Sequence, residues 1–398
     1  MTSLLTILVL VALSFLGSYI FNKLKSDNVF INSIAYTGLF YIFIGIVLGP
    51  FAADIVNQKI MKEVSILYSL VLGWAGFLIG LQTNLKGLRR FPRKYYIYSA
   101  SSILIVIFVS LSLFLAVNIC FKWNYGLLSL LVLTISGAVT SPILFGHFVR
   151  DYRVIPESSY LLQFNSAFDN IVGILLFGLI LAAGNIVDGA VNAGIELLYS
   201  LGISAAAIVI YYYLSKEFKQ SDEKFLLLIG LLLIVDGVAL YFEQSIIFMS
   251  YVFGFGLANT HIKTRGLLKE INQVEKPMYV LLLIFAGANL TYGSSMYFAV
   301  FLLFFTVHLI SKLLSGGLTN YFLPDKLRLG PFMGMGNLGL GGLSIAMILD
   351  FYLKKQSADA GIFLFAIILT LVLQDSMSWF YLRRVLVINP KKANNTNK

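Results

Sequence analysis

Thirteen mostly apolar stretches of about twenty residues follow one another along a chain of 398 residues, with only short polar loops between them. They run at about 3–22, 31–52, 64–84, 95–120, 126–149, 159–184, 189–214, 224–242, 244–260, 277–292, 296–320, 329–349 and 359–382. A helix crosses the hydrocarbon core of a bilayer in ~20 residues, so each stretch fits one crossing. In lipid every backbone N–H and C=O must be satisfied internally, and apolar runs of this length do so as helices. The chain therefore reads as an all-α polytopic membrane protein. Composition excludes the soluble alternatives. Hydrophobic residues make up 59% and charged residues 12%, against about 25% charged in an ordinary soluble domain. The first stretch lacks a small-residue cleavage site and reads as a retained helix. The single cysteine, Cys120, excludes an internal disulfide.

Formal net charge is +10. In a bilayer protein such an excess sets orientation, and no nucleic-acid partner is implied. Of the 29 Lys and Arg residues, 23 fall in loops on one side, among them Lys86, Arg89, Arg90, Arg93 and Lys94. Five lie on the other side: Lys59, Lys62, Lys122, Lys354 and Lys355. Positive residues mark the cytoplasmic face. The N-terminus is expected outside, the C-terminus in the cytoplasm, and residues 385–398 as a short cytoplasmic tail.

Ionisable groups inside a membrane are costly and point to function. Asp169, Asp236, Asp375 and Glu196 fall within spans, as do Lys312 and His308. Asp169 lies at mid-depth of the sixth span, and Lys312 deep in the eleventh. A lysine there needs a carboxylate partner, and Asp169 is the natural one. His308, one turn before Lys312, is expected to be a packed histidine. Asp236 and Asp375 are expected to be structural acids near span ends, within reach of water or a basic group.

Two spans carry breaks. The fifth contains Thr140-Ser141-Pro142, where the proline removes a backbone donor and clashes with the preceding turn. The twelfth has glycines at 334, 336, 339, 341 and 342, a poor helix. Paired interruptions at matching places in two halves point to a transporter's binding site. Two inverted six-helix repeats are expected, about 1–184 and 224–384 of a transmembrane domain covering 1–384. Span 7, about 189–214, would connect them.

Several of these segments resemble the cation:proton antiporter superfamily, in particular its monovalent cation:proton antiporter-2 branch. Ile44-Gly45-Ile46-Val47-Leu48-Gly49-Pro50 is similar to the family's second-span ending, and Phe77-Leu78-Ile79-Gly80-Leu81 with Arg89-Arg90 to its third span and basic exit. Phe253-Gly254-Phe255-Gly256-Leu257-Ala258-Asn259 resembles the ninth-span ending, Ser311-Lys312-Leu313-Leu314 the lysine-bearing segment, and Thr140-Ser141-Pro142 the unwound threonine motif. The resemblance implies the sodium/proton antiporter fold and a homodimer in the cell membrane. It implies a mobile core that moves like an elevator against a fixed panel, exchanging Na+ or K+ for protons.

Family members carry an acidic pair in the sixth span, where this chain reads Asp169-Asn170. If Asp169 takes the first position, it pairs with Lys312 and an asparagine stands at the usual ion-binding aspartate. If it takes the second, Phe168 replaces the first member. The ion-binding set expected from residues and resemblance together is Asp169, Asn170, Thr140, Ser141 and Lys312, with Asp169 and Thr140 contacting the transported cation. No cofactor is expected. The chain lacks His-Glu-x-x-His and Gly-x-Ser-x-Gly motifs, and His147, His261 and His308 have no metal spacing, so an enzyme is not expected. The alternative is a non-exchanging family member, acting as a sensor or assembly partner or carrying another small solute.

Overall fold

The computed structural model describes residues 2–23, 38–50, 53–56, 58–141, 156–187, 193–260, 265–290, 293–320, 332–355 and 358–386. Among these residues there is helix and no strand. In chain order the main helices are α1 (Thr2–Lys23), α2 (Leu39–Leu48), α3 (Ser65–Gln82), α4 (Arg93–Cys120), α5 (Leu127–Ala138), α6 (Pro156–Val187), α7 (Ala193–Glu217), α8 (Ser221–Tyr241), α9 (Ile246–Asn259), α10 (Arg265–Ala288), α11 (Ser295–Thr319), α12 (Gly342–Lys355) and α13 (Ala358–Leu386). Short helices at Gln58–Glu63 and Leu85–Leu88 lie between them, and a 3-10 turn, Met333–Asn337, precedes α12. Among the described residues, seven helices are long and apolar enough to cross a membrane by length and composition alone: α3, α4, α6, α7, α8, α11 and α13.

Every expected span meets a helix, with departures that have physical causes. The described part of the second span is 38–50, helical over Leu39–Leu48; its outer residues, 31–37 and 51–52, lie outside the described residues. The tenth span starts at Arg265 instead of 277, and its helix runs through Pro277. Arg265, Lys269, Glu270, Glu275 and Lys276 hide that first half from a search for apolar runs.

Packing sorts the helices into two bundles. In the first, α3 lies along α9, α10 along α1 and α2, and α8 touches α3, α9 and α10. In the second, α11 packs on α4, α13 and the 3-10 turn, while α5 touches α4, α6 and α12. Helix α7 bridges them, contacting α8 and α9 on one side and α6 on the other. Helices meeting in lipid gain from close backbone approach at small residues more than from apolar burial. The α3–α9 contact shows this: a Cβ on Gly76 would run into the Ile247 carbonyl, and one on Gly254 into the Phe77 carbonyl. Outward faces are apolar too, with Phe108 and Leu226 at 73% and 70% exposure, as suits a multi-pass membrane protein.

The bundles also touch at the end opposite the basic loops. Asp350, near the C-terminus of α12, accepts a hydrogen bond from the Ser245 hydroxyl (2.7 Å) and another from the Ile247 N–H (3.4 Å). The Ser245 oxygen in turn accepts from the Phe248 N–H, so this residue caps α9. Lys354 lies 3.6 Å from the other Asp350 oxygen.

Candidate functional site

Helix α5 stops at Ala138, four residues short of Pro142. The proline lies outside the described residues, yet the residue preceding a proline is already biased away from helix. Val139 is extended, with φ −68° and ψ 152°, so the backbone groups of 138–141 lose their helical partners. Several of the freed groups find substitutes. The Thr140 N–H donates to the Asn170 amide oxygen (3.3 Å), and the Thr140 carbonyl accepts from the Ser166 hydroxyl (3.0 Å). The Ala138 carbonyl accepts from the Lys312 ammonium at 2.7 Å, a cation at a helix C-terminus where the dipole favours it.

The second break crosses here. After the 3-10 turn, residues 338–341 run without helix until α12 begins at Gly342. The Ser141 N–H donates to the Gly339 carbonyl at 2.8 Å, tying one break to the other. Close backbone packing seats the turn on α11. A Cβ on Gly334 would collide with the Lys312 carbonyl, and one on Gly316 with the Gly334 nitrogen. Glycine at both positions lets the turn lie against the helix segment that carries Lys312.

Asp169 is the centre of the cluster. Its Oδ2 accepts from the Thr140 hydroxyl (2.8 Å), the Asn165 amide (3.2 Å) and the Lys312 ammonium (3.4 Å). Lys312 also donates to the Thr140 oxygen at 2.9 Å, so Thr140 relays between ammonium and carboxylate. Asp169 and Lys312 are buried to 1% and 2% exposure, and the expected ion pair is present. The second carboxylate oxygen, Oδ1, has no hydrogen-bond partner, and neither has the Asn165 carbonyl oxygen.

Thr140, Ser141 and Asn170 also line one end of a cavity of about 280 Å³. Gln82 and Glu275 line it as well, and Gln82 ends α3 just before the basic stretch that includes Arg89 and Arg90. Trp74, Met278 and Leu282 give it apolar walls. The cavity thus leads from the end bearing the basic loops toward neutral oxygens. Asp169 stands one residue behind Asn170.

All five expected site residues come together, Ser141 through its backbone and through its place on the cavity wall beside Gly341. Sequence reasoning missed Asn165, Ser166 and the Ala138 carbonyl. The spacing carried a usable signal: 165, 166, 169, 170 and 173 fall on one helical face, and Gly173 abuts Val139. His308 is packed, as expected: its Nδ1 meets the Gln374 carbonyl oxygen and its ring stacks on Phe304 at 5.9 Å. Asp236 and Asp375 depart from expectation, because both are sealed inside protein at 0% and 1% exposure. Asp236 accepts from Ser250 at 2.5 Å where α3, α8 and α9 meet. Among the described residues no three His, Cys, Asp or Glu side chains gather as a metal cluster.

Comparison with known proteins bears on the fold and the family. No curated protein matches the chain. The solved structure of the sodium proton antiporter MjNhaP1 from Methanocaldococcus jannaschii at pH 8 superposes with a TM-score of 0.67 at 16% identity, covering 96% of this chain and 98% of that one. A second MjNhaP1 structure, from an electron-microscopy map, gives 0.55 at 17% identity over 86% and 89% of the two chains. The fold is therefore the sodium/proton antiporter fold. The model of the transmembrane sodium/hydrogen exchanger family matches residues 4–383, and the chain belongs to that family.

Proposed function

We propose that this protein exchanges a monovalent cation, Na+ or K+, for protons across the cell membrane, with the crossed breaks carrying the ion. The observation that carries this reading is the buried Asp169–Lys312 pair, bridged by Thr140, behind the polar end of a cavity that reaches toward the basic loops. A cation entering there meets the oxygens of Thr140, Ser141 and Asn170, which suit a hard ion stripped of water. A buried carboxylate can hold a proton or balance a cation, and burial together with the nearby ammonium tunes the exchange between the two. The Asp169–Lys312 contact supports the alignment in which Asp169 takes the first acidic position and Asn170 stands at the usual ion-binding one.

An elevator movement of the second bundle against the first fits the packing. Helices α1–α3 and α8–α10 belong to the first bundle, and α4–α6 and α11–α13 to the second. The same order recurs on either side of α7, which supports two repeats inverted by an odd connector. We read the N-terminus as outside, the basic end as cytoplasmic, and the first bundle as the face that pairs in a homodimer.

The test is the cation-induced pH change in everted vesicles, run with each alkali cation. Exchange is expected with at least one of them, and Asp169→Asn is expected to abolish it. Proton movement at the wild-type rate in that variant would sink Asp169 as the carrier, and no pH change with any alkali cation would favour a sensor or a carrier of another solute.

A further inference from the structure

Asp375 on α13 is 1% exposed, and neither of its carboxylate oxygens has a hydrogen-bond partner. Its position is fixed by its neighbours. Gln374 is held by His308 and by the Phe305 carbonyl (3.1 Å), and the Ser378 hydroxyl donates to the Gly336 carbonyl at 3.2 Å. This face of α13 therefore lies along the second break. The Leu340 N–H is the backbone donor Asp375 faces, outside normal hydrogen-bond geometry. Two more buried side chains flank the same four-residue break with orphan oxygens: Asn337 before it and Ser344 after it. Buried polar atoms almost always have partners, so three unpartnered side chains along one break call for an explanation, and an ion or water is one that supplies the missing contacts.

Charge points to the ion. Lys312 is committed to Asp169 and the Ala138 carbonyl, and His308 to Gln374. Helix α5, the 3-10 turn and the first two turns of α12 contain no charged residue. Among the described titratable side chains, Tyr279 on α10 lies near Asp375. Tyr279, Gly341 and Gly342 also line the cavity that reaches Thr140. We propose that Asp375, with the Asn337 oxygen, forms a second proton-or-cation site at the second break, supplying through space the second carboxylate that position 170 lacks. Cation binding there ionises the carboxylic acid: one monovalent cation arrives and one proton leaves, so charge balances. This inference rests on the exchange reading above and deepens it.

The test is proton release on adding Na+, Li+ or K+ to the full-length protein in weakly buffered detergent solution, followed with a pH dye. Wild type is expected to release protons. Asp375→Asn should release at most half as many and need roughly tenfold more cation for half-saturation, tenfold being about 1.4 kcal/mol. Asp375→Glu should restore release, and Asn337→Ala should raise the half-saturating concentration while release persists. Asp236→Asn, in the other bundle, should match wild type. If Asp375→Asn releases as many protons at the same half-saturation as wild type, the second site is wrong and the exchange reading stands. If Asp375→Asn does not fold, unchanged half-saturation in Asn337→Ala overturns the site. If wild type releases none with any of the three ions, the exchange reading itself fails and takes this site with it.

Discussion

Lys312 spends its ammonium on three acceptors: the Ala138 carbonyl, the Thr140 hydroxyl and the Asp169 carboxylate. Truncating it strands a carboxylate in a sealed site, and removing one partner of a buried pair costs about 3–5 kcal/mol. Lys312→Ala should therefore lower the unfolding temperature in detergent markedly, and adding Asp169→Asn should recover part of the loss. Additive effects of the two changes would show that the pair does not interact. Thr140→Val removes the hydroxyl that serves both charges and should cost about 1–3 kcal/mol, whereas Thr140→Ser should cost much less, since it keeps the oxygen. These roles were unevenly legible in the sequence. Asp169 and Lys312 stood out because a charge in an apolar run has no cheap explanation. Asn165 and Ser166 did not, since neutral polar side chains in a membrane helix usually satisfy themselves locally. The burial of Asp375 was not legible, because depth counted along one helix says nothing of the neighbours that wall it off from water.

Both broken helices were legible as proline and glycine interruptions, but their joining was not. The Ser141–Gly339 hydrogen bond links positions almost 200 residues apart, and no local pattern encodes it. Gly334 belongs to the glycine-rich stretch that makes a poor helix, and the structure gives it another use: with Gly316 of α11 it lets the turn sit on that helix. Gly316→Ala should push the 3-10 turn off its seat and cost about 1–3 kcal/mol, the usual range for overpacking. Gly202→Ala on α7 is the control. Its added Cβ meets nothing within 4 Å, and alanine is the better helix former by about 1 kcal/mol, so stability should hold or rise. Equal losses in the two variants would mean that the close approach at Gly316 carries no weight. At the other end of α12, Ser245 both caps α9 and donates to Asp350 across the bundle boundary. Ser245→Ala should cost about 1–2 kcal/mol for the lost cap, read as a drop in unfolding temperature.

Across the whole molecule, the basic loops and the cavity that reaches Thr140 lie toward the same end, so the direction in which the site faces depends on how the chain sits in the membrane. Helix α4 measures that orientation directly. It starts at Arg93, beside Arg89 and Arg90, and its 28 residues reach Cys120. At 1.5 Å per residue that is about 42 Å, enough to cross the bilayer from one interface to the other. Cys120 is the chain's one cysteine and it is exposed. In the orientation proposed above, the excess of Lys and Arg makes the Arg93 side cytoplasmic and Cys120 lies at the outer surface. A membrane-impermeant maleimide added to intact cells should therefore label the wild-type protein. The reporter for the opposite face is Gly87, where an added side chain meets nothing within 4 Å. The variant Cys120→Ser with Gly87→Cys should stay unlabelled until the membrane is permeabilised. The reverse pattern would turn the molecule over, place the Gln82–Glu275 side of the cavity outside, and require the cation to be drawn from the external solution in the state seen here.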